Sequence, residues 1–99
     1  FTQPAEYDLK GLGLYIRDIL YNPHSSIKVV DGIIETAEKL GFFPKEHQPV
    51  NDFLLAELGF RMTRYDSYNI FYIYDELLDV VHIIRILYNK ADWQNILKK

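Results

Sequence analysis

The apolar residues of this chain change their spacing at Gly59: before it they recur every three or four positions, and after it β-branched and aromatic residues alternate with polar ones. Helices followed by consecutive strands mark an α+β domain, here a helical hairpin packed on a small antiparallel sheet and closed by a short C-terminal helix. Residues 1–99 are too few for two cores, so a single domain is expected to span the chain.

Pro4 can open a helix, and Leu9, Leu12, Ile16, Ile19 and Leu20 then mark one face, which predicts helix over residues 4–20. Gly11 and Gly13 weaken it by about 1 kcal/mol each relative to Ala, unless they admit close backbone packing. Asn22-Pro23 restarts the helical pattern, because Asn can accept from free first-turn amides and Pro at the first position loses no needed donor. The second helix buries Ile27, Val30, Ile33, Ile34, Ala37 and Leu40, and Gly41 and Pro44 end it. A short connection makes the pair an antiparallel hairpin. Residues 42–51 read as a loop pinned to the core by Phe42 and Phe43, and residues 52–58 as a short helical turn.

Beyond Gly59, Phe60 to Tyr65 alternates, Asp66-Ser67 turns, and Asn69 to Tyr74 forms a second strand. Asp75 to Asp79 makes a longer turn, and Val80 to Tyr88 is a third strand, apolar on both faces and so central or covered. The three form a meander. Trp93, Ile96 and Leu97 give the last helix one apolar edge, with Lys98 and Lys99 as a frayed tail.

Packing alone must hold this fold, because the chain has no cysteine for a disulfide, a thiolate metal site or a nucleophile. That suits a reducing cytoplasm. No apolar run approaches the roughly 20 residues of a spanning helix, and no signal-peptide pattern opens the chain, so a soluble cytoplasmic protein without membrane contact is expected. The net charge of −3 argues against nucleic-acid binding by the overall field. Residues 1–58 carry net −4 and residues 59–99 net +1, which places any anion-facing surface in the second part.

Strict alternation puts Val81, Ile83, Arg85 and Leu87 on one face of the third strand and Val80, His82, Ile84, Ile86 and Tyr88 on the other. Arg85 is a cation in the middle of an apolar strand, and must either pair with an acid such as Asp66 or Asp75 or emerge at a cleft to face an anion. Arg61 and Arg64 fall on opposite faces of the first strand. With Lys90 at the sheet end, at least three cations can gather near one end of the sheet beside the Tyr88 hydroxyl. His24, His47 and His82 have no metal-site spacing, and His82 reads as a satisfied sheet histidine before a general base. No cofactor or metal motif is present, and Gly11-Leu12-Gly13 is no phosphate loop.

The element order, with Gly59-Phe60-Arg61, Tyr68-Asn69-Ile70-Phe71-Tyr72 and Val81-His82-Ile83-Ile84-Arg85-Ile86-Leu87-Tyr88, resembles the RelE/ParE superfamily of bacterial toxins. The Asn22-Pro23 break and Asp92 after the last strand fit it too. That family opens with a strand, whereas this sequence starts at Phe1-Thr2-Gln3, inside such a strand, so it is expected either that the strand's N-terminal residues are missing from this sequence or that the strand is rudimentary. The resemblance implies a type II toxin-antitoxin system, whose antitoxin partner wraps the toxin and blocks its target-facing surface.

The resemblance implies two branches. RelE-like members are ribosome-dependent messenger RNA endonucleases, and on that branch Arg85 and Tyr88 would be catalytic, with cations holding phosphate charge. Leu87 and Asn69, however, stand where such nucleases carry a histidine and an arginine. ParE-like members poison DNA gyrase and need no proton transfer, so gyrase inhibition is put first and RNA cleavage second. Arg61, Arg64, Lys90 and Trp93 are the expected target-binding residues on either branch. A third reading is a non-toxic relative that binds its antitoxin and acts in autoregulation.

Overall fold

The computed structural model describes all of residues 1–99. The elements are α1 (Gln3–Leu14), a π-helical turn (Tyr15–Ile19), α2 (Pro23–Lys39), α3 (Phe53–Glu57), β1 (Phe60–Tyr65), β2 (Tyr68–Asp75), β3 (Val80–Tyr88) and α4 (Trp93–Lys98). Each longer helix starts where a side chain accepts from a free amide: Thr2 from Ala5, and Asn22 Oδ1 from Ser25 at 3.1 Å. Ala5, Leu12 and Ile16 bury the inner face of the first helix against α2 and the sheet. Gly13 lies at the helix crossing, where a Cβ would meet Val30 at 3.1 Å, and its carbonyl accepts from Ser26 Oγ at 2.6 Å. Gly11 faces open space, so only one of the two glycines is explained by close packing.

The expected apolar stripe of the first helix breaks after Ile16. The π-helical turn closes Leu20 N–H onto the Tyr15 carbonyl at 3.1 Å, and this wider turn rotates the last residues of the segment. Ile19 and Leu20 are exposed as a result, contrary to their predicted place in the core.

The sheet has order β1-β2-β3, all antiparallel, so β2 is central and β3 forms an edge. The third strand is therefore covered rather than central. Thr2 donates from N–H to the Ile83 carbonyl at 3.0 Å and from Oγ1 to the Ile84 carbonyl at 3.0 Å, and α1 runs on along that edge. Such cover satisfies groups that a bare edge leaves open to another chain.

Strict alternation along β3 does not hold. Phe71 pairs with Arg85 but Tyr72 with Ile83, so Ile84 is an extra residue in a β-bulge. The bulge moves Ile83 and Ile86 onto the same face despite their odd spacing, where they join Ile70, Tyr72 and the helices in the larger core. Where one core was expected, Phe71, Leu87 and Phe60 build a second on the opposite face of the sheet with Val50, Leu55 and the half-buried Trp93.

Phe42 and Phe43 do not pin their loop, for both are exposed. Backbone acceptors do it instead: the Tyr72 hydroxyl donates to the Pro44 carbonyl at 3.1 Å and Arg61 Nη1 to the His47 carbonyl at 2.6 Å, while Val50 supplies the buried apolar contact. Lys98 is likewise no frayed end. Its Nζ lies 2.9 Å from Asp52 Oδ2, and Asp52 Oδ1 accepts from Leu55 N–H at 3.1 Å, so one carboxylate clasps α3 to α4.

Those donors, Lys98 first and then the Leu55 amide, hold the Asp52 carboxyl below its ordinary value of 3.8. A depressed carboxylate stabilises the fold fully above the unfolded value and loses that contribution as pH falls through the folded one. Urea midpoints measured between about pH 5 and pH 2 should therefore fall less steeply in Asp52→Asn than in the parent. Parallel acid limbs would remove the clasp from the account.

Candidate functional site

Arg85 sits on the edge strand and meets an acid that the sequence pattern did not single out. Its Nε and Nη2 fork onto the two oxygens of Asp8 in α1, at 2.7 and 2.9 Å. Asp8 Oδ2 also accepts from Ile86 N–H at 2.9 Å, so the carboxylate takes three donors and ties α1 to β3. The pair is mostly out of solvent, with 30% of the Arg85 side chain and 14% of the Asp8 side chain exposed. Bonding to Asp8 raises the guanidinium above its ordinary value, partly offset by burial, so it keeps its charge at every ordinary pH. Of the partners expected from sequence, Asp66 lies in the β1–β2 turn and Asp75 is the last residue of β2.

Beside this pair, α1, the π-helical turn, the start of α2 and the sheet end enclose a hollow of about 780 Å³. Leu12, Ile16, Leu20, Val29 and Ile86 make its floor and wall, and Tyr15, Tyr68 and Tyr88 surround it. Asp8 and Asp66 are its ionisable carboxylates. Tyr88 is half exposed and meets the Tyr68 ring edge-on, with centroids 6.0 Å apart. Burial, and then the nearby Asp66, pushes the Tyr68 hydroxyl above its ordinary value, so it stays protonated as a donor. The bulged strand shapes this hollow, because it sets Ile86 and Tyr88 on the helix side.

The four residues expected to face a target do not converge. Arg61 is turned toward the 42–49 loop through His47. Arg64 is exposed near the β1–β2 turn, its Nε donating to the Asp66 carbonyl at 2.8 Å. Lys90 is exposed at the same end, since Asn89 N–H donates to the Ser67 carbonyl across the two turns at 2.8 Å. Trp93 stacks on Phe71 at 5.4 Å and belongs to the second core. His82 is exposed on β3, and no group of three metal-ligating side chains gathers anywhere.

Sequence reasoning missed Asp8, Tyr15 and Tyr68. A signal for Asp8 existed: Asp8, Leu12 and Ile16 recur every fourth residue, which sets an acid in line with the buried stripe.

A family model described as ParE toxin of type II toxin-antitoxin system, parDE, matches residues 1–93, nearly the whole chain. The chain belongs to this family. A ParE-family toxin has a cognate antitoxin protein as its partner, and the expected RelE/ParE kinship holds in fold and in family alike. No individual curated protein matches it. In this ParE-family chain no helix is long and apolar enough to cross a membrane.

Proposed function

We propose that this chain is a growth-inhibiting toxin that acts in the cytoplasm on DNA gyrase rather than by cutting messenger RNA, with its antitoxin covering the tyrosine-lined hollow. The Arg85–Asp8 fork carries this reading. A nuclease that breaks a phosphodiester by 2′-hydroxyl attack needs a cation free to meet charge developing on the phosphate. In this chain Arg85 has two of its donors on a carboxylate that would itself repel that phosphate. Tyr88 borders the same acids, with Leu87 in place of a proton-transferring histidine. Gyrase inhibition needs neither a free cation nor a proton donor.

The hollow favours an apolar occupant whose polar edge carries Lys or Arg toward Asp66, and an amphipathic antitoxin helix has both features. Covering it would also bury the exposed Leu20 and half of Tyr88.

Expression of the chain without its antitoxin should induce a DNA-damage reporter while full-length messenger RNAs persist. Tyr88→Phe should keep that toxicity. Cleaved messages that disappear in Tyr88→Phe, with a silent damage reporter, would reverse the assignment in favour of the nuclease.

A further inference from the structure

The turn between β2 and β3 holds two leucines in water. Leu77 is 97% exposed and Leu78 69% exposed. Single exposed leucines are ordinary, but these are adjacent, at the tip of a hairpin that is pinned on three sides. Asp75 Oδ1 accepts from Leu77 N–H at 3.0 Å and from Leu78 N–H at 3.2 Å. The Tyr74 hydroxyl donates to Asp79 Oδ1 at 2.8 Å, and Asp79 takes the left-handed conformation at φ +52°. Glu76 pairs with Lys45 at 2.6 Å, which tethers the loop carrying the exposed Phe42 and Phe43.

Asp75 and Asp79 are spent on the shape of the turn and Glu76 on Lys45, and neither leucine contributes to the core. A turn of this geometry needs only the acids, which leaves both leucines free to meet a partner. Pre-ordering them removes much of the entropy that a flexible loop would lose on binding.

Charge chooses among occupants. Three carboxylates fall within five residues and only Glu76 has a cation beside it, so the tip stays net negative and would repel an anionic lipid surface or nucleic acid. A second copy is also disfavoured, because this chain's own apolar hollow is bordered by Asp8 and Asp66. The occupant that fits is an apolar pocket ringed by Lys and Arg, on a protein that presents basic surface. Enzymes that hold DNA carry such surface in quantity.

We propose that the Leu77-Leu78 tip is the contact by which the toxin engages gyrase, seated in an apolar pocket with a basic rim; this rests on the gyrase reading above. The tip and the antitoxin's hollow are then separate surfaces, which departs from the expectation that the antitoxin covers the target-facing one directly.

Purified parent toxin and the Leu77→Ser/Leu78→Ser double variant would each be titrated against purified gyrase and against the purified antitoxin. Burial of two leucines predicts a loss of about 100-fold in gyrase affinity for the variant, with antitoxin affinity unchanged. Parent affinity for gyrase should also weaken as salt is raised. Equal gyrase binding by parent and variant would overturn the tip while leaving the target reading intact. A parallel loss of antitoxin binding would overturn it as well, by assigning the tip to the other partner. Absence of gyrase binding by the parent itself would overturn the target reading and the tip with it.

Discussion

Asp8→Ala should lower the stability of the folded chain by about 3 kcal/mol, the low end of the cost of breaking a buried pair because Arg85 is partly exposed. Three donors lose their acceptor at once: Arg85 Nε, Arg85 Nη2 and the Ile86 amide. The Ile86 amide belongs to a buried residue, so it cannot exchange its lost partner for water without opening the edge of the sheet. Urea unfolding of the parent, Asp8→Ala, Arg85→Met and the double variant would measure the coupling directly. The double variant should be more stable than the sum of single losses implies, because removing both charges leaves no unpaired guanidinium. Strict additivity would mean that the fork does not hold α1 to β3. The same set bears on function. A gyrase inhibitor should tolerate Arg85→Met once folded, whereas a nuclease relying on that cation should not.

Phe71→Ala should cost about 4 kcal/mol, against about 5–15 kcal/mol for a whole domain of this size. Phe71 is fully buried at the centre of β2, at the heart of the second core, and Trp93 of α4 stacks on it at 5.4 Å. Truncation removes a ring's burial and leaves a cavity between the sheet and α4 that six residues of helix cannot collapse to fill. The Trp93 near-ultraviolet circular dichroism band should weaken, as it is the chain's single tryptophan and Phe71 helps fix its orientation. Phe71→Leu keeps most of the volume and should fall between the two. A band unchanged in Phe71→Ala would show that Trp93 is oriented by other contacts.

Local chemistry was enough to read the element order. Asn22-Pro23, the Asp66-Ser67 turn and the alternation of Phe60 to Tyr65 each act within a few residues, and the structure starts α2 at Pro23 and bounds β1 and β3 at the expected positions. The failures arise where context beyond the local pattern decides the outcome. Ile19 and Leu20 continue the helical pattern on paper, but one wider turn of backbone rotates them out. Phe42 and Phe43 look like core residues by composition, yet the loop is held by hydrogen bonds to its carbonyls and leaves the rings outside.

The site was less legible than the fold. Arg85 was recognisable as a charge that needs a partner, and Tyr88 as a group at the strand end, because both depend on position along one strand. Naming Asp8 required knowing that α1 runs beside β3, which is a contact across 77 residues of chain. The bulge at Ile84 adds one unpaired residue and reverses which side chains share a face, and no period in the sequence announces it.

Residue order and composition are enough to establish that helices precede a three-strand meander, that packing without disulfides holds them, and that the chain resembles a toxin superfamily. Long-range contacts were needed to show that Arg85 is tied to a carboxylate and that three tyrosines from distant segments share one hollow. The division has a physical origin: backbone propensity and capping act over a few residues, whereas ion pairs and hollows depend on where separate elements meet.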